Sequence, residues 1–259
     1  MKLFIDTGSV AEVEEIAGWG ILSGATTNPS LLAKEEGDPG DIIRQICDLV
    51  NGPVSAEVVS DNPDGMVAEG RALAGLHEHV IVKTPFSKAG LAACRELTQD
   101  GIRVNMTLVF SANHALLAAE AGATYISCFM GRLDDISIDS AQVVREIVEA
   151  LRPGGVTSQV LAASLRHPEH VITAARLGCE VATAPERLVI DDWDWPMSFQ
   201  PARSQVSSPS ASLPCTRQTP RSSGEATRYS KNSKTTFWSI GMVSGPSRRE
   251  PYMVASLGR

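Results

Sequence analysis

The segment that best indicates the fold of this protein is His79-Val80-Ile81-Val82-Lys83-Thr84-Pro85, in which a short apolar run is followed by a lysine. Its apolar run is typical of a β-strand, and Pro85 lacks the N–H that would continue the hydrogen-bond ladder. A strand with apolar residues on both faces is typical of a parallel sheet covered by helices. Lysine is rarely buried without a partner or a chemical task. Two interpretations of Lys83 therefore stay open: its ammonium is paired at the rim of the sheet, or it takes part in a reaction.

Segments of the same kind recur along residues 3–184, and longer amphipathic segments alternate with them. Apolar patterns predict strands at residues 3–6, 21–27, 54–58, 79–85, 102–107, 124–128, 157–162 and 180–183. Helical spacing predicts helices from about residue 9 and near residues 41–50, 64–74, 88–98, 111–121, 140–151 and 168–176. Ser9, with Glu12 three residues later, predicts a capping box. Strict alternation implies a parallel sheet, and eight units are the number that closes a (β/α)₈ TIM barrel.

The alternative, an open doubly wound sheet of dinucleotide-binding type, is less favoured. Such a sheet has a glycine-rich phosphate loop after its first strand, whereas Asp6-Thr7-Gly8-Ser9 carries a single glycine. His167 and His170 are spaced three apart, but no third residue of metal-ligand spacing stands near them. We therefore expect no metal and no cofactor.

Composition indicates a globular protein. The chain has 259 residues and is 43% hydrophobic, which is enough for a sizeable core. No apolar run approaches the roughly 20 residues of a membrane span, and the first residues lack the apolar core of a signal peptide. We therefore expect a cytoplasmic protein without a membrane partner. Five cysteines are scattered singly and are interpreted as buried thiols in a reducing compartment: Cys47, Cys94, Cys128, Cys179 and Cys215.

The C-terminal part of the chain has a different composition. Residues 1–185 contain 13 Lys and Arg against 24 Asp and Glu, a balance of −11, whereas residues 186–259 contain 10 against 6, a balance of +4. These last 74 residues include 14 serines and show no sustained period. We predict a barrel domain at 1–185 and a disordered Ser/Arg-rich tail at 186–259. Without a recognisable module, the basic tail is not expected to bind nucleic acid.

Polar side chains close nearly every predicted strand. They are Asp6, Asn28, Glu57, Lys83, Asn105 with Thr107, Ser127, and Ser164 with Arg166. In a (β/α)₈ barrel the active site lies at the carboxyl ends of the strands. Any one of these residues could be a cap or a turn former. Together they predict a polar rim around one lysine.

The residue types on this rim suggest a reaction. Burial disfavours the charged form of a lysine, and a neutral amine can attack a carbonyl to form a Schiff base. Asp6 and Glu57 supply carboxylates for proton transfer. Arg132 and Arg166 follow their strands closely and could grip a phosphate. For each arginine, a surface ion pair, such as Arg132 with Asp134 or Asp135, is an equally open interpretation.

Seven segments, in this order, resemble the small transaldolase family. They are Phe4-Ile5-Asp6-Thr7, Gly24-Ala25-Thr26-Thr27-Asn28-Pro29-Ser30-Leu31, Ser55-Ala56-Glu57-Val58, Val82-Lys83-Thr84-Pro85, Val104-Asn105-Met106-Thr107-Leu108-Val109-Phe110-Ser111, Gly131-Arg132-Leu133-Asp134-Asp135 and Ala162-Ala163-Ser164-Leu165-Arg166-His167. They spread over residues 3–184, and the Thr-Thr-Asn-Pro-Ser and Asn-x-Thr-Leu-x-Phe-Ser blocks are specific. The resemblance implies a metal-free transaldolase of the pentose phosphate pathway. It would transfer a dihydroxyacetone unit from sedoheptulose 7-phosphate to glyceraldehyde 3-phosphate.

The resemblance also implies roles for individual residues. Lys83 matches the Schiff-base lysine and Asp6 the acid/base residue. Glu57 and Thr107 match the pair that holds a proton-shuttling water. The remaining matches orient the dihydroxyacetone unit (Asn28, Asn105 and Ser127) or bind the phosphate (Arg132, Ser164 and Arg166). Related fructose 6-phosphate aldolases are similar but carry glutamine at the position of Glu57 and tyrosine at that of Phe129, so transaldolase is favoured over aldolase.

The chain departs from the family pattern at two places. Cys128 stands where the family usually has proline. From Pro185 onward the expected eighth helix and the C-terminal helix are replaced by serine-rich sequence, as after a change of reading frame or a fusion. Family members form homo-decamers through C-terminal contacts, so the altered end predicts impaired assembly. It also leaves open a third hypothesis beside transaldolase and aldolase, namely that this chain is an inactive product.

Overall fold

A computed structural model describes residues 1–190. Eight parallel strands form a closed barrel in the order in which they occur along the chain. The strands are β1 (Lys2–Asp6), β2 (Gly24–Thr26), β3 (Val54–Glu57), β4 (Val80–Pro85), β5 (Val104–Val109), β6 (Tyr125–Phe129), β7 (Gln159–Ala163) and β8 (Val181–Ala184). Pairing of β1 with β8 closes the ring, with Lys2 opposite Val181 and Phe4 opposite Thr183. The predicted TIM barrel is confirmed.

Helices follow the strands on the outside. They are α1 (Val10–Ala17), α2 (Pro29–Leu32), α3 (Pro39–Val50), α4 (Pro63–Ala74), α5 (Lys88–Gln99), α6 (Ala112–Glu120), α7 (Met130–Asp134), α8 (Ser140–Leu151), α9 (Pro168–Leu177) and α10 (Glu186–Ile190). The short helices α2, α7 and α10 were not predicted, because four or five residues show no period. In the described residues no helix is long and apolar enough to cross a membrane.

Side-chain caps fix where most of the long helices begin. Asp38, Asn62, Ser87, Ser111 and Asp139 each accept a hydrogen bond from a backbone N–H in the first turn of the helix that follows. Such a bond satisfies one of the four N–H groups that a helix start leaves without a partner.

The capping box predicted at α1 is wrong. Ser9 precedes the helix but its side chain makes no capping bond. The neighbouring Thr7 takes over, because its hydroxyl accepts from the N–H of Ser9 at 3.0 Å and donates to Glu12 at 2.5 Å. The glutamate is therefore held by a threonine two residues earlier than expected.

The core has an inner and an outer part. Inside the barrel, a cluster of buried side chains fills the space below the carboxyl ends: Phe4, Ile81, Tyr125, Leu161, Ala163 and Val181. The rings of Phe4 and Tyr125 meet edge to face with centroids 6.0 Å apart. Outside, two larger clusters lie between the strands and the helices. The inner cluster therefore fills the interior of the barrel below the carboxyl ends of its strands.

The described residues end with α10, five residues beyond the boundary predicted at Pro185. Leu188 packs against the larger outer cluster, and Val189 contacts both outer clusters. The rest of the predicted tail, residues 191–259, lies outside the described residues, so its predicted disorder stays a prediction.

Candidate active site

The inward-facing residues follow the period of two that a β-strand imposes. Along β4, Ile81 belongs to the inner cluster and Lys83, two residues later, lines a cavity above it. The same step leads from Phe4 to Asp6 on β1 and from Val181 to Thr183 on β8. These three strands thus each direct a polar side chain near their carboxyl ends into one cavity.

Lys83 is buried and paired. Only 6% of its surface is exposed. Its Nζ lies 2.9 Å from Oε2 of Glu57 and donates a hydrogen bond to the carbonyl oxygen of Thr27 at 3.1 Å. Register explains the first contact, because Glu57 lies directly opposite Lys83 in the pairing of β3 with β4. The amine is therefore held at the cavity wall with a proton acceptor beside it.

Asp6 lines the same cavity as Lys83 and takes part in a chain of hydroxyl groups. Thr26 donates to Oδ1 of Asp6 at 2.7 Å, and its oxygen lies 2.7 Å from the hydroxyl of Thr183. Burial raises the pKa of the Asp6 carboxyl, while the bond from Thr26 and the charge of Lys83 act in the other direction. A carboxyl group whose pKa is raised can exchange protons nearer to neutral pH, which suits a general acid and base.

Asn105 organises a second, fully buried network. Its amide Nδ2 donates to Oγ of Ser55 at 3.0 Å, and its Oδ1 accepts from Oγ of Ser127 at 2.7 Å. Both partners are almost inaccessible, with 1% and 2% of their surfaces exposed. The network fixes Ser127, which lines the cavity, through Asn105, which lies behind it.

Thr107 owes its orientation to an irregularity in β5. Met106 pairs with Ile126 and Val109 with Cys128, so β5 has one residue more than β6 over this stretch. Leu108 takes up the extra residue with φ 60°, a left-handed conformation that is unfavourable for leucine. The hydroxyl of Thr107 is buried beside the cavity and has no hydrogen-bond partner within the described part of the chain. A buried hydroxyl without a partner is uncommon and is suited to receive a ligand or a water.

The two arginines lie at one side of the cavity mouth. Arg166 pairs with Asp135 at 2.8 Å, and both side chains are well exposed. Arg132 also lines the cavity, and within residues 1–190 it forms neither of the ion pairs considered for it, with Asp134 or Asp135. Ser164 lies between them with φ 57°, and its carbonyl accepts from the N–H of Gly131 at 3.0 Å.

The cavity has a volume of about 140 Å³ and brings most of the predicted residues together. Of the ten, eight line it: Asp6, Asn28, Lys83, Thr107, Ser127, Arg132, Ser164 and Arg166. Glu57 and Asn105 lie behind the lining and contact Lys83 and Ser127. Asn28 also caps α2, since its Oδ1 accepts from the N–H of Leu31 at 3.0 Å. Its roles as a cap and as a site residue are thus compatible.

Sequence reasoning missed three polar members of the site. Thr26 and Thr183 fall within predicted strands, where threonine is common, and nothing in the sequence distinguishes them from other strand threonines. Ser55 was missed for the same reason. The signal that could have found them is the period of two, which puts Thr26 two residues after the inward Gly24 and Ser55 two residues before Glu57.

Enzymes built on this barrel carry out their chemistry at the carboxyl ends of the strands, and a buried lysine beside two carboxylates indicates an enzyme of the aldolase type. Comparison with known proteins identifies the family. Residues 3–192 match the family model described as Transaldolase/Fructose-6-phosphate aldolase. The chain therefore belongs to the transaldolase and fructose-6-phosphate aldolase family.

Individual relatives agree with this assignment. A protein of Thermus thermophilus named "Probable transaldolase" is 52% identical over 194 residues, which cover 71% of this chain and 87% of the relative. A protein of the same name from Moorella thermoacetica is 49% identical over 198 residues, covering 76% and 92% of the two chains. Among solved structures, thiamine phosphate pyrophosphorylase of Pyrococcus furiosus is similar with a TM-score of 0.52 at 16% identity, over 71% of this chain and 85% of that one. That likeness shows the fold alone.

Proposed function

We propose that this protein is a transaldolase that carries a dihydroxyacetone unit from sedoheptulose 7-phosphate to glyceraldehyde 3-phosphate as a Schiff base on Lys83. The observation that carries the proposal is the position of Lys83, buried at the cavity wall with its Nζ 2.9 Å from the Glu57 carboxylate. An amine must lose its proton before it can attack a carbonyl, and Glu57 is placed to take that proton.

The first half of the reaction would form the imine. Proton transfer from Lys83 to Glu57 frees the amine, which adds to the C2 carbonyl of the ketose. The resulting carbinolamine loses its hydroxyl as water when Glu57 returns a proton, through a water shared with the Thr107 hydroxyl. The unpaired hydroxyl of Thr107 is the feature that supports this role. The product is a protonated imine, which withdraws electrons from the neighbouring carbon–carbon bond.

The second half would break and remake that bond. Asp6 takes the proton of the C4 hydroxyl, the C3–C4 bond breaks, and the electron pair is held as an enamine on Lys83. Erythrose 4-phosphate leaves as the aldehyde product. The enamine then attacks the aldehyde of glyceraldehyde 3-phosphate while Asp6 returns the proton. Water hydrolyses the resulting imine by the reverse of its formation, which releases fructose 6-phosphate and restores the amine of Lys83. The raised pKa of the Asp6 carboxyl supports both directions of this transfer.

The other site residues would hold the substrate. Asn28, Asn105 and Ser127 are assigned to the hydroxyl groups of the dihydroxyacetone unit, with Asn105 acting through its bond to Ser127. Arg132, Ser164 and Arg166 are assigned to the phosphate, since their shared side of the cavity collects two guanidinium groups. Such a role belongs to the pentose phosphate pathway.

The acceptor requirement tests the proposal against the alternative, a fructose 6-phosphate aldolase. Purified protein would be given fructose 6-phosphate with and without erythrose 4-phosphate, and the release of glyceraldehyde 3-phosphate would be followed. A transaldolase turns over many times only when the acceptor aldehyde is present. Sustained turnover without the acceptor would assign the aldolase reaction instead, and no turnover in either case would favour the inactive product.

A further inference from the structure

A histidine outside the cavity holds the loop that carries Arg166. His170 lies in the first turns of α9 and is 6% exposed. Its Nδ1 accepts a hydrogen bond from the backbone N–H of Arg166 at 3.2 Å, and its Nε2 lies 2.8 Å from Oδ2 of Asp134. Because Nδ1 acts as an acceptor, the ring proton must be on Nε2 and must be donated to Asp134. The two contacts fix both the tautomer and the orientation of the ring.

The neutral form of the ring is the one that the site favours. Burial lowers the pKa of His170, the neighbouring His167 and Arg166 act in the same direction, and Asp134 opposes them. A neutral imidazole keeps a free lone pair on Nδ1, which is what the N–H of Arg166 requires. The ring of His167 lies against it with centroids 3.8 Å apart.

Asp134 connects this histidine to two other elements. It is the last residue of α7, and its carboxylate accepts from the N–H and the hydroxyl of Ser140, at 3.2 and 3.0 Å, where α8 begins. The same short helix carries Arg132. The contacts of His170 and Asp134 therefore tie the two arginine-bearing segments to each other.

The loop after β7 needs such support. Ser164 has φ 57°, a left-handed conformation that is unfavourable for a residue with a side chain and persists only when surrounding contacts hold it. Two backbone contacts flank the strained position: the N–H of Gly131 to its carbonyl at 3.0 Å, and the N–H of Arg166 to His170. Loss of the second contact would free the backbone of Arg166.

We propose that His170 is a positioning residue that fixes the backbone of Arg166 and so sets the affinity of the site for a phosphate group. The inference rests on the proposed function in one respect, the assignment of Arg166 to the substrate phosphate. His170 does not touch the substrate. It fixes the position of the backbone from which the Arg166 side chain extends. It thereby sets the preference of the site for phosphorylated over unphosphorylated sugars.

Two substitutions separate the contacts. His170→Asn keeps an acceptor near the place of Nδ1, whereas His170→Gln keeps a donor near the place of Nε2 and loses that acceptor. We expect His170→Gln to weaken the binding of inorganic phosphate about tenfold, as measured by NMR titration. A tenfold loss corresponds to about 1.4 kcal/mol, which is typical of a lost buried hydrogen bond. His170→Asn should stay within about threefold of the wild type.

The chain offers a matched control. His114 stands four residues after Phe110, and its Nδ1 accepts from the N–H of Phe110 at 3.4 Å. The arrangement is the same, but it follows β5, two strands before the strand that leads to Arg166. His114→Gln should leave the affinity for phosphate unchanged. If His170→Gln and His114→Gln bind phosphate as the wild type does, or if both lose affinity equally, the inference is wrong.

Kinetics distinguish this inference from the proposed function. In the wild type, the borohydride-trapped adduct on Lys83 should form with fructose 6-phosphate and with unphosphorylated dihydroxyacetone. In His170→Gln the concentration for half-maximal trapping should rise about tenfold for the phosphorylated sugar only. Equal effects on both sugars would overturn the inference. A wild type that binds phosphate but forms no adduct would overturn the proposed function and leave the role of His170 to the phosphate titration.

Discussion

Opposing influences act on the pKa of the Asp6 carboxyl: burial raises it, whereas the Thr26 hydroxyl and the Lys83 charge lower it. Burial is the larger, so the carboxyl keeps its proton to a higher pH in the folded chain than in the unfolded chain. Between its ordinary value of 3.8 and its higher folded value, the folded state binds more protons, and stability falls as pH rises. Above that pH window the charged carboxylate continues to destabilise the folded state. Below pH 3.8 this destabilisation vanishes, because the carboxyl is protonated in both states.

Asp6→Asn tests this reasoning. The amide keeps an acceptor for Thr26 but carries no charge, so the free energy of unfolding in urea should rise at pH 7 and change little at pH 3. The same substitution should lower kcat by about 10²–10⁴-fold through loss of proton transfer. The exposed Asp61, replaced by Asn, serves as the control and should change stability by less than about 0.5 kcal/mol. A variant less stable than the wild type at pH 7 would contradict the account.

Thr107 gives a second test at the scale of the residue. Thr107→Val removes the unpaired hydroxyl and keeps the shape, so kcat should fall by about 10²-fold while the free energy of unfolding is not lowered. Thr107→Ser keeps the hydroxyl and should retain most of the activity. Thr84→Val is the matched control, since Thr84 is buried on the neighbouring strand, where its hydroxyl bonds to Sδ of Met106 at 3.8 Å. Full activity in Thr107→Val would exclude its role in holding a water.

At the scale of the element, sequence patterns located all eight strands but not their ends. β5 was expected to end at Thr107, yet it continues to Val109 through the extra residue at Leu108. Nothing in the local sequence marks this bulge, because Leu is a poor choice for φ 60° and only the surrounding barrel imposes it. The helix α7 was missed because it is five residues long. Features that tertiary contacts impose could therefore not be predicted from the sequence, whereas periodic features could.

The close packing of α7 against the loop after β7 leads to a prediction for Gly131. A Cβ atom at Gly131 would lie 2.2 Å from the carbonyl oxygen of Ser164 and 2.5 Å from Nε of Arg166. Gly131→Ala must therefore push the two segments apart, at a cost of about 1–3 kcal/mol.

We expect Gly131→Ala to weaken phosphate binding at least tenfold, measured by NMR titration together with thermal unfolding. Gly75→Ala is the control, because a Cβ atom there meets nothing closer than 3.4 Å. If Gly131→Ala binds phosphate like the wild type, the loop is more adaptable than these contacts indicate.

At the scale of the whole molecule, the site and the seam of the barrel differ in how far sequence could predict them. The barrel and its site were predictable because strand period, strand count and polar strand ends all point to one arrangement. At the seam of β1 and β8 the sequence departs from the family pattern, since the family's eighth helix does not follow Pro185. The apolar residues 188–190 are compatible with partial cover of that seam, and the structure shows that Leu188 and Val189 of α10 pack against the outer clusters.

Leu188→Ala should therefore destabilise the barrel. Leu188 is half-buried against the outer cluster, so its truncation should lower the free energy of unfolding by about 1–2 kcal/mol, measured in urea. Leu116→Ala is the control, because that leucine is 44% exposed and should cost less than about 0.5 kcal/mol. Equal effects of the two substitutions would show that α10 adds no cover that matters.

The central claim concerns the amine of Lys83, and it can be tested directly by reduction with borohydride in the presence of fructose 6-phosphate. The account predicts one reduced dihydroxyacetone adduct per chain, located by peptide mass analysis at Lys83, and no adduct in Lys83→Met. Conversely, an adduct on another lysine, or full turnover by Lys83→Met, would contradict it.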